Sequence, residues 1–337
     1  MSIKYLFIIL FLPFFSQAQN GTKPIVTSDV LKLATADQIE ISPDGTKAVM
    51  VVTRKALKKE SEYYYTRHLY LVNLMGGDPV QLTFGDKSDG QPTWSPDGRN
   101  IAFVRRDGEI SQVWILPLTG GEAYVLTKVK HGASQPSWSP DGKKILFSSS
   151  IPAFDITGSP GWANERPGRT YNDEPNWQSM KEEDKKMMKT TPDGSLEEIR
   201  AWLAKNASEK NPRVINRLQF QAENDLQPMM RFSHLFVIPF ENEAEAKQIT
   251  KGFQSFSDAS WSTDGTKIIC TSESPAVEPD ANRKTSIWQM DADGGNLKEF
   301  ISFPEYPAQG AQYSPDGKTI LFLTRSGQDF LRGQFEL

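Results

Sequence analysis

The chain has 337 residues, of which 38% are hydrophobic and 24% charged, and this balance excludes a largely disordered protein. The net charge of −4 gives no reason to expect nucleic acid or an anionic membrane as a partner. A single cysteine, Cys270, excludes an internal disulfide framework. Its place in a predicted strand indicates a small buried apolar residue rather than a reactive thiol.

The first residues have the pattern of a secretory signal peptide. Lys4 precedes an almost wholly apolar run over residues 5–15, and Ser16 and Ala18 are the small residues of a cleavage site. The run is too short to span a membrane comfortably, and an uncleaved anchor is the alternative. We therefore expect residues 1–18 to be removed and the protein to be periplasmic or secreted, with no stable membrane span after cleavage. Residues 19–40 form a lead-in segment.

One five-residue phrase, Ser-Pro-Asp-Gly after an aromatic or apolar residue, recurs along the chain and predicts a tight turn each time. Ser begins the turn, Pro presets φ, Asp suits the third position, and Gly accepts a conformation that other residues resist. An apolar pair at alternate positions follows each copy, which predicts a β-hairpin. The copies occupy residues 41–45, 94–98, 138–142, 261–265 and 313–317, and the pairs are Ala48/Met50, Ile101/Phe103, Ile145/Phe147, Ile268/Cys270 and Ile320/Phe322.

Each repeat also contains a later strand, and three repeats close on a Thr. The later strands are predicted at residues 68–74, 113–118, 234–240 and 287–290, and the closing residues are Thr83, Thr127 and Thr250. Units of this size and content predict the four-stranded blades of an all-β β-propeller. We expect a partial propeller over residues 41–337 with about five marked blades, in which the Trp or Tyr before each turn packs between blades.

The spacing of the turns indicates an insertion. Successive turn serines lie 53, 44, 123 and 52 residues apart, so either an unmarked repeat or an insertion fills the third interval. The insertion is favoured because the missing strand of unit three appears late, at 234–240. We expect an inserted helical segment at about 150–230, where Ser195 and Glu198 have capping-box spacing. A helical apolar face would contain Leu196, Ile199, Trp202 and Leu203, and the charge run 181–186 would be a solvated face.

The sequence contains no residue that we would assign to catalysis, to a cofactor or to a metal. It has no G-x-S-x-G nucleophile elbow, no H-E-x-x-H and no paired-cysteine metal site. One Asp per turn is not a calcium coordination shell. His68 and His234 occupy the same place in two units, which indicates a structural role, and His131 lies elsewhere. Two charged groups could contact a ligand, but surface charge explains them equally well: Arg105-Arg106-Asp107 and Glu165-Arg166.

The last unit reaches the end of the chain early. In units one, two and four the later strand begins 26, 18 and 25 residues after the turn serine. In unit five it is therefore expected near Phe335, two residues before the end. A ring that stopped there would expose an unpaired strand edge. We expect the chain to be an incomplete part of a longer protein.

The phrase W-S-P-D-G-(K/R)-x-I-x-F, at residues 94–103 and 138–147, resembles the TolB-type propeller repeat, which exported peptidases of the prolyl oligopeptidase family also carry. Residues 213–220 with 234–237, and 313–318 with 323–327, are similar to the acylaminoacyl-peptidase and dipeptidyl-peptidase branch. The resemblance implies a propeller of seven or eight blades before an α/β-hydrolase domain with a Ser, an Asp and a His. The propeller would admit short peptides only.

We therefore expect the substrate-gating propeller of a secreted or periplasmic serine peptidase. Its peptide substrate would be reached through a hydrolase domain that this sequence does not contain, so no catalytic residue is assigned and the chain alone should be inactive. One alternative is a TolB-like propeller that binds a protein partner as a scaffold in the periplasm. The other is an unrelated propeller enzyme that uses loop residues.

Overall fold

A computed structural model describes residues 26–59, 62–108, 110–158, 230–273, 284–304, 306–326 and 334–336, together with 183, 191–196, 198–199, 201–202 and 221. The predicted signal peptide lies outside the described residues. After a short 3-10 helix (Thr27–Lys32), the first strand begins at Ala34. Residues 34–40 of the predicted lead-in therefore lie in a strand.

The strands form antiparallel sheets from neighbours in sequence, which confirms the predicted β-propeller fold. Blade one contains β1 (Ala34–Ile41), β2 (Lys47–Lys59), β3 (Glu62–Asn73) and β4 (Val80–Gln81). Blade two contains β5 (Ser88–Trp94), β6 (Asn100–Asp107), β7 (Ile110–Pro117) and β8 (Tyr124–Val125). Blade three contains β9 (Ser134–Trp138), β10 (Lys144–Pro152), β11 (Arg231–Pro239) and β12 (Lys247–Gln248).

Blade four contains β13 (Phe256–Trp261), β14 (Lys267–Glu273), β15 (Thr285–Asp291) and β16 (Lys298–Ile301). In blade five the described strands are β17 (Ala308–Tyr313), β18 (Ile320–Ser326) and β19 (Gln334–Glu336). Successive blades pack on one another in chain order. Among the described strands no extensive packing joins blade five to blade one, so these blades form an open arc.

All five predicted turns form with the same hydrogen bonds. In each turn the Gly N–H donates to the Ser carbonyl at 2.8–2.9 Å, and the Gly has a φ of 68–70°. The Ser hydroxyl donates to the Asp carboxylate at 2.5–2.6 Å and accepts the N–H of the residue five positions later at 2.9 Å. Thr263 replaces Pro in the fourth copy without changing these bonds, so Ser, Asp and Gly define the turn.

The strands that follow the first four turns are more deeply buried than the alternating pattern indicated. In β6, the adjacent residues Ile101, Ala102 and Phe103 are all 0% exposed. Each blade is covered by its neighbours, so both faces of its second strand are buried from solvent. Cys270 in β14 is also 0% exposed, and burial raises the pKa of its thiol to about 12, which agrees with an apolar core role.

The Trp before each of the three middle turns packs between two blades, as predicted. Trp138 belongs to a buried cluster with Val113 of blade two and Phe147 of blade three. Its indole N–H donates to the Thr93 carbonyl of blade two at 3.3 Å. The other two Trp residues make the equivalent bond to the preceding blade: Trp94 to the Glu40 carbonyl at 3.0 Å and Trp261 to the Ser137 carbonyl at 3.2 Å.

The closing Thr residues complete the first three blades. Thr83, Thr127 and Thr250 are at most 4% exposed. Their hydroxyl oxygens accept backbone N–H groups of the third strand at 2.9 Å, from Leu69, Val113 and Leu235. Because each fourth strand pairs through only two residues, this side-chain bond extends its connection to the blade.

The long third interval separates two neighbouring strands of one sheet. β10 pairs with β11 from Lys144↔Pro239 to Pro152↔Arg231, so residues 153–230 connect adjacent strands of blade three. A 3-10 turn (Ala153–Asp155) begins this connection, and the Ala153 N–H donates to the Met230 carbonyl at 2.9 Å. The two ends of the insertion are therefore held together at the ends of the two central strands of blade three.

The predicted capping box forms inside the insertion. The Ser195 N–H donates to Glu198 Oε2 at 2.8 Å, and the Glu198 N–H donates to Ser195 Oγ at 3.3 Å. The predicted packing face is only partly right, because Leu196 is 63% exposed whereas Ile199 and Trp202 are half-buried. Leu203 and, apart from Glu183, the charge run 181–186 lie outside the described residues.

The turn carboxylates should make stability fall in acid. The Ser262 hydroxyl, with the Thr266 N–H and hydroxyl, lowers the pKa of Asp264 to about 2 from 3.8. A depressed folded-state pKa gives stability that is present above the unfolded value and is lost as pH falls from about 4 to 2. We expect Asp264→Asn to flatten this part of the curve of unfolding free energy against pH, measured by urea denaturation.

Ser262→Ala provides the companion variant for the turn experiment. It removes the largest cause of the depressed Asp264 pKa, so its stability should also depend less on pH between about 4 and 2. A wild-type slope in both variants would show that this turn does not contribute to acid sensitivity.

Candidate functional site

The strand order divides the loops between two ends of the blades. The five Ser-Asp-Gly turns join first to second strands, so all of them lie at one end. The connections after β2, β6, β10 and β14, and those from one blade to the next, lie at the opposite end because neighbouring strands are antiparallel. We call this opposite end the insertion end, because residues 153–230 leave from it.

The first strands of blades one to three line an open groove of about 390 Å³. Three equivalent stretches form its wall: 38–40 in β1, 91–93 in β5 and 135–136 in β9. Each stretch contains the β-bulge of its strand, where the pairing with the second strand shifts register. The groove is therefore built by the repeat itself and faces the inner edge of the blades.

A glutamine occupies the same place in all three stretches. Gln38, Gln91 and Gln135 have φ values of 50–53°, in the left-handed region that L-residues seldom adopt. The Gln91 N–H donates to Gln38 Oε1 at 2.6 Å, and the Gln135 N–H donates to Gln91 Oε1 at 2.6 Å. These bonds join three blades along the groove. Sequence reasoning missed them, although a Gln four residues before each of the first three turn serines was a visible signal.

Glu40 is the carboxylate of the groove wall. Its Oε1 accepts the Thr93 hydroxyl at 3.0 Å and the Trp94 N–H at 3.4 Å, and burial raises the pKa of the side chain. Blades two and three hold Thr93 and Ser137 at the equivalent place. The wall therefore offers amide and hydroxyl groups and a single carboxylate, which suits hydrogen bonding to an uncharged or weakly cationic chain.

A buried ion pair lies at the insertion end of blade two, where it faces blade one. The Arg105 guanidinium donates to both Asp89 oxygens, at 2.7 and 2.8 Å, and Asp89 is 1% exposed. The guanidinium also lies 4.8 Å from the centre of the Trp114 ring. Surface charge therefore does not account for Arg105, although it does for exposed Arg106.

The three histidines have different surroundings. His234 is 0% exposed, with Nδ1 3.2 Å from Thr250 Oγ1, and burial lowers its pKa to about 4. His68 is 8% exposed and is described below with its neighbours. His131 Nε2 lies 2.8 Å from Asp155 Oδ2, so it ties the loop after β8 to the beginning of the insertion. No pattern in the sequence indicates this last contact.

The remaining predicted positions add no chemistry to the described site. Glu165 and Arg166 lie outside the described residues. Within the part of the chain that the structure describes, no three His, Cys, Asp or Glu side chains converge to hold a metal ion. No helix in the same ranges has the length and apolar character needed to cross a membrane.

Comparison with known proteins places this geometry in a class. Residues 31–158 match the TolB beta propeller domain. The chain is 33% identical over 95 residues to the uncharacterized peptidase YuxL of Bacillus subtilis, covering 28% of this chain and 14% of that protein. It is 32% identical over 98 residues to dipeptidyl-peptidase 5 of Porphyromonas gingivalis, covering 29% of this chain and 14% of that protein.

A solved structure extends the likeness over most of the chain. The acylaminoacyl peptidase of Pyrococcus horikoshii superposes with a TM-score of 0.52 at 16% identity, covering 88% of this chain and 36% of that one. Residues 31–158 thus form a TolB-type beta propeller segment. The likeness to this solved structure shows the β-propeller fold over most of the chain, and the matches span 14% of the curated relatives and 36% of this solved chain.

Two adjacent arginines allow a matched test of the buried ion pair. Arg105→Gln leaves Asp89 buried without its charge partner, so we expect the free energy of unfolding to fall by about 3 kcal/mol or more. Arg106→Gln removes an exposed charge next to it and should change stability by less than about 0.5 kcal/mol. Urea denaturation of both variants measures the difference, and equal stabilities would contradict the assignment.

Proposed function

We propose that this chain is the substrate-gating propeller of an exported serine peptidase that acts on short peptides. The observation that carries the proposal is the groove on the inner strands, together with the match to peptidase propeller regions. The predicted signal at residues 1–18 supports export. The serine and its partners would come from a hydrolase domain, where acyl transfer would occur.

The size of the groove suits a short chain. Its volume of about 390 Å³ lies within the range of roughly 300–1,000 Å³ that small-molecule pockets occupy. A folded domain of 100 residues has a radius of gyration of about 13 Å, so it cannot enter such a space. A few residues of extended peptide can, and this difference is the physical basis of the proposed gate.

The chemistry of the wall suits a peptide backbone. A peptide presents an N–H donor and a carbonyl acceptor at nearly every residue. Gln38, Gln91 and Gln135 carry amide groups along the wall; their oxygens accept bonds within the protein, and their NH2 groups can donate to peptide carbonyls. Ile39, which is 64% exposed, adds apolar surface to the wall. The groove can therefore hold peptides of many sequences, which a gate requires.

Narrowing the groove tests the proposal in the full-length product of the gene. Ile39→Trp places a larger ring in the wall at a side chain that is 64% exposed, so kcat/KM for a hexapeptide should fall by about tenfold or more, and less for a single-residue aminoacyl anilide. Met75→Trp is the control, because Met75 is 89% exposed on a loop at the turn end. Equal kinetics of the two variants on every substrate would contradict gating through this groove.

The 337-residue chain provides a second test. It should not hydrolyse aminoacyl or acylaminoacyl reporters, but a tetrapeptide should bind and shift amide resonances at residues 38–40, 91–93 and 135–136. Turnover that persists through purification would overturn the assignment of catalysis to another domain. Tight binding of a folded periplasmic protein without peptide binding would support the scaffold function instead.

A further inference from the structure

The interface between blades one and two contains charged groups at a position of the repeat where the other described interfaces have none. His68 in β3 faces Asp89 in β5, with 4.0 Å between His68 Nδ1 and Asp89 Oδ2. The place of Asp89, six residues before the turn serine, is taken by Ala133, Phe256 and Ala308 in the next three blades. The repeat therefore forms this contact from apolar residues elsewhere, and folding alone does not require a carboxylate here.

The position of His68 also recurs. Gln112, His234 and Ser286 take its place in blades two, three and four, each opposite the residue ten positions after the turn serine. In blade three the ring of His234 lies 6.2 Å from that of Phe256, which occupies the place of Asp89. Two buried histidines thus occupy the same position of the repeat. Of the two, His68 faces a carboxylate and His234 does not.

The hydrogen bonding of His68 leaves one nitrogen unused. The ring bonds to the backbone of Gly85, whereas Nδ1 is buried without a hydrogen-bond partner. In the neutral ring with Nε2 protonated, Nδ1 carries a lone pair, and this lone pair lies beside the Asp89 carboxylate. Both Asp89 oxygens already accept hydrogen bonds from Arg105, so the carboxylate is paired before His68 gains a proton.

The charged groups around His68 come from three other strands. Asp89 belongs to β5, Arg105 to β6 and Arg54 to β2, and the loop before β5 supplies the Gly85 backbone. The two arginines already outnumber the one carboxylate. A proton on His68 would add a third positive charge to a site that is shielded from water, where such charges repel strongly.

We infer that His68, Asp89 and Arg105 form an acid-sensitive joint between blades one and two, which opens at the insertion end when His68 gains a proton. The opening exposes the imidazolium to water and separates β3 from β5. These two strands are joined by the parallel pair Arg67↔Ser88, which links the two blades into one eight-stranded sheet. The joint therefore controls how blade one is attached to the rest of the arc.

The direction of the pH effect follows from the folded-state pKa. Burial is the main cause that lowers the pKa of His68 below 6.5, with Arg105 and Arg54 acting in the same direction and Asp89 opposing them. A lowered histidine pKa means that the closed joint prefers the neutral ring. Its stability is complete above pH 6.5 and decreases as pH falls below that value toward the folded-state pKa.

Hydrogen exchange of the full 337-residue chain tests the joint. Protection factors of β3 and β5 amides should fall between pH 7.5 and pH 5.5 by up to about tenfold, because one site loses at most a factor of ten per pH unit below 6.5. The interface of blades four and five serves as the internal control, since Ser286 and Ala308 stand at its equivalent positions and neither blade contains a histidine. Equal changes at both interfaces would overturn the inference.

A substitution taken from the protein's own repeat completes the test. His68→Gln introduces the residue that blade two has at this place, and it should abolish the additional loss of protection at pH 5.5. His234→Gln should leave the pH response of β3 and β5 unchanged. If His68→Gln retains the wild-type response, His68 is not the sensor. If that variant does not fold, the comparison of the two wild-type interfaces still decides.

Discussion

The hydrogen bond from the turn Ser to the turn Asp determines where every other repeated contact lies. The same Ser Oγ accepts the N–H five residues later, which fixes the register between the first two strands of a blade. Once that register is fixed, the residues one, four and six positions before the Ser have fixed places. In blade two these are Trp94, Gln91 and Asp89, and all three contact blade one.

Each blade is consequently joined to the preceding blade by a directional set of bonds. Trp138 donates to a carbonyl of blade two, and the Gln135 N–H donates to a side chain of blade two. The apolar clusters follow the same order, since Val51 and Leu69 of blade one pack with Phe103 of blade two. The free energy of unfolding of such an array is approximately the sum of the stability of each blade and of each interface between neighbouring blades. The charged interface around Asp89 is therefore adjustable without effect on distant blades.

Sequence patterns predicted the features that depend on neighbouring residues. The turns, the strands beside them and the capping box at Ser195 need only local spacing, and the late strand at 234–240 revealed the insertion because its pattern matched the other repeats. The missed features join distant residues. Nothing local indicates that Gln38 accepts the Gln91 N–H, or that Arg105 is buried, because burial of Arg105 depends on Trp114 and on Asp89 in neighbouring strands. The predicted burial of Leu196 was wrong for the same reason, because periodicity shows which residues share a helix face but not whether another element covers that face.

Departures from the repeat carry the functional information in this fold. A residue that the repeat needs recurs, as Trp94, Trp138 and Trp261 do, so recurrence is evidence of structure. Glu40 and Asp89 stand where later blades have small, neutral or apolar residues, and both lie in the contact between blades one and two. Buried charge adds a desolvation cost that the other blades avoid. The concentration of such groups at one interface, beside the groove, indicates that this contact was shaped by more than the need to fold.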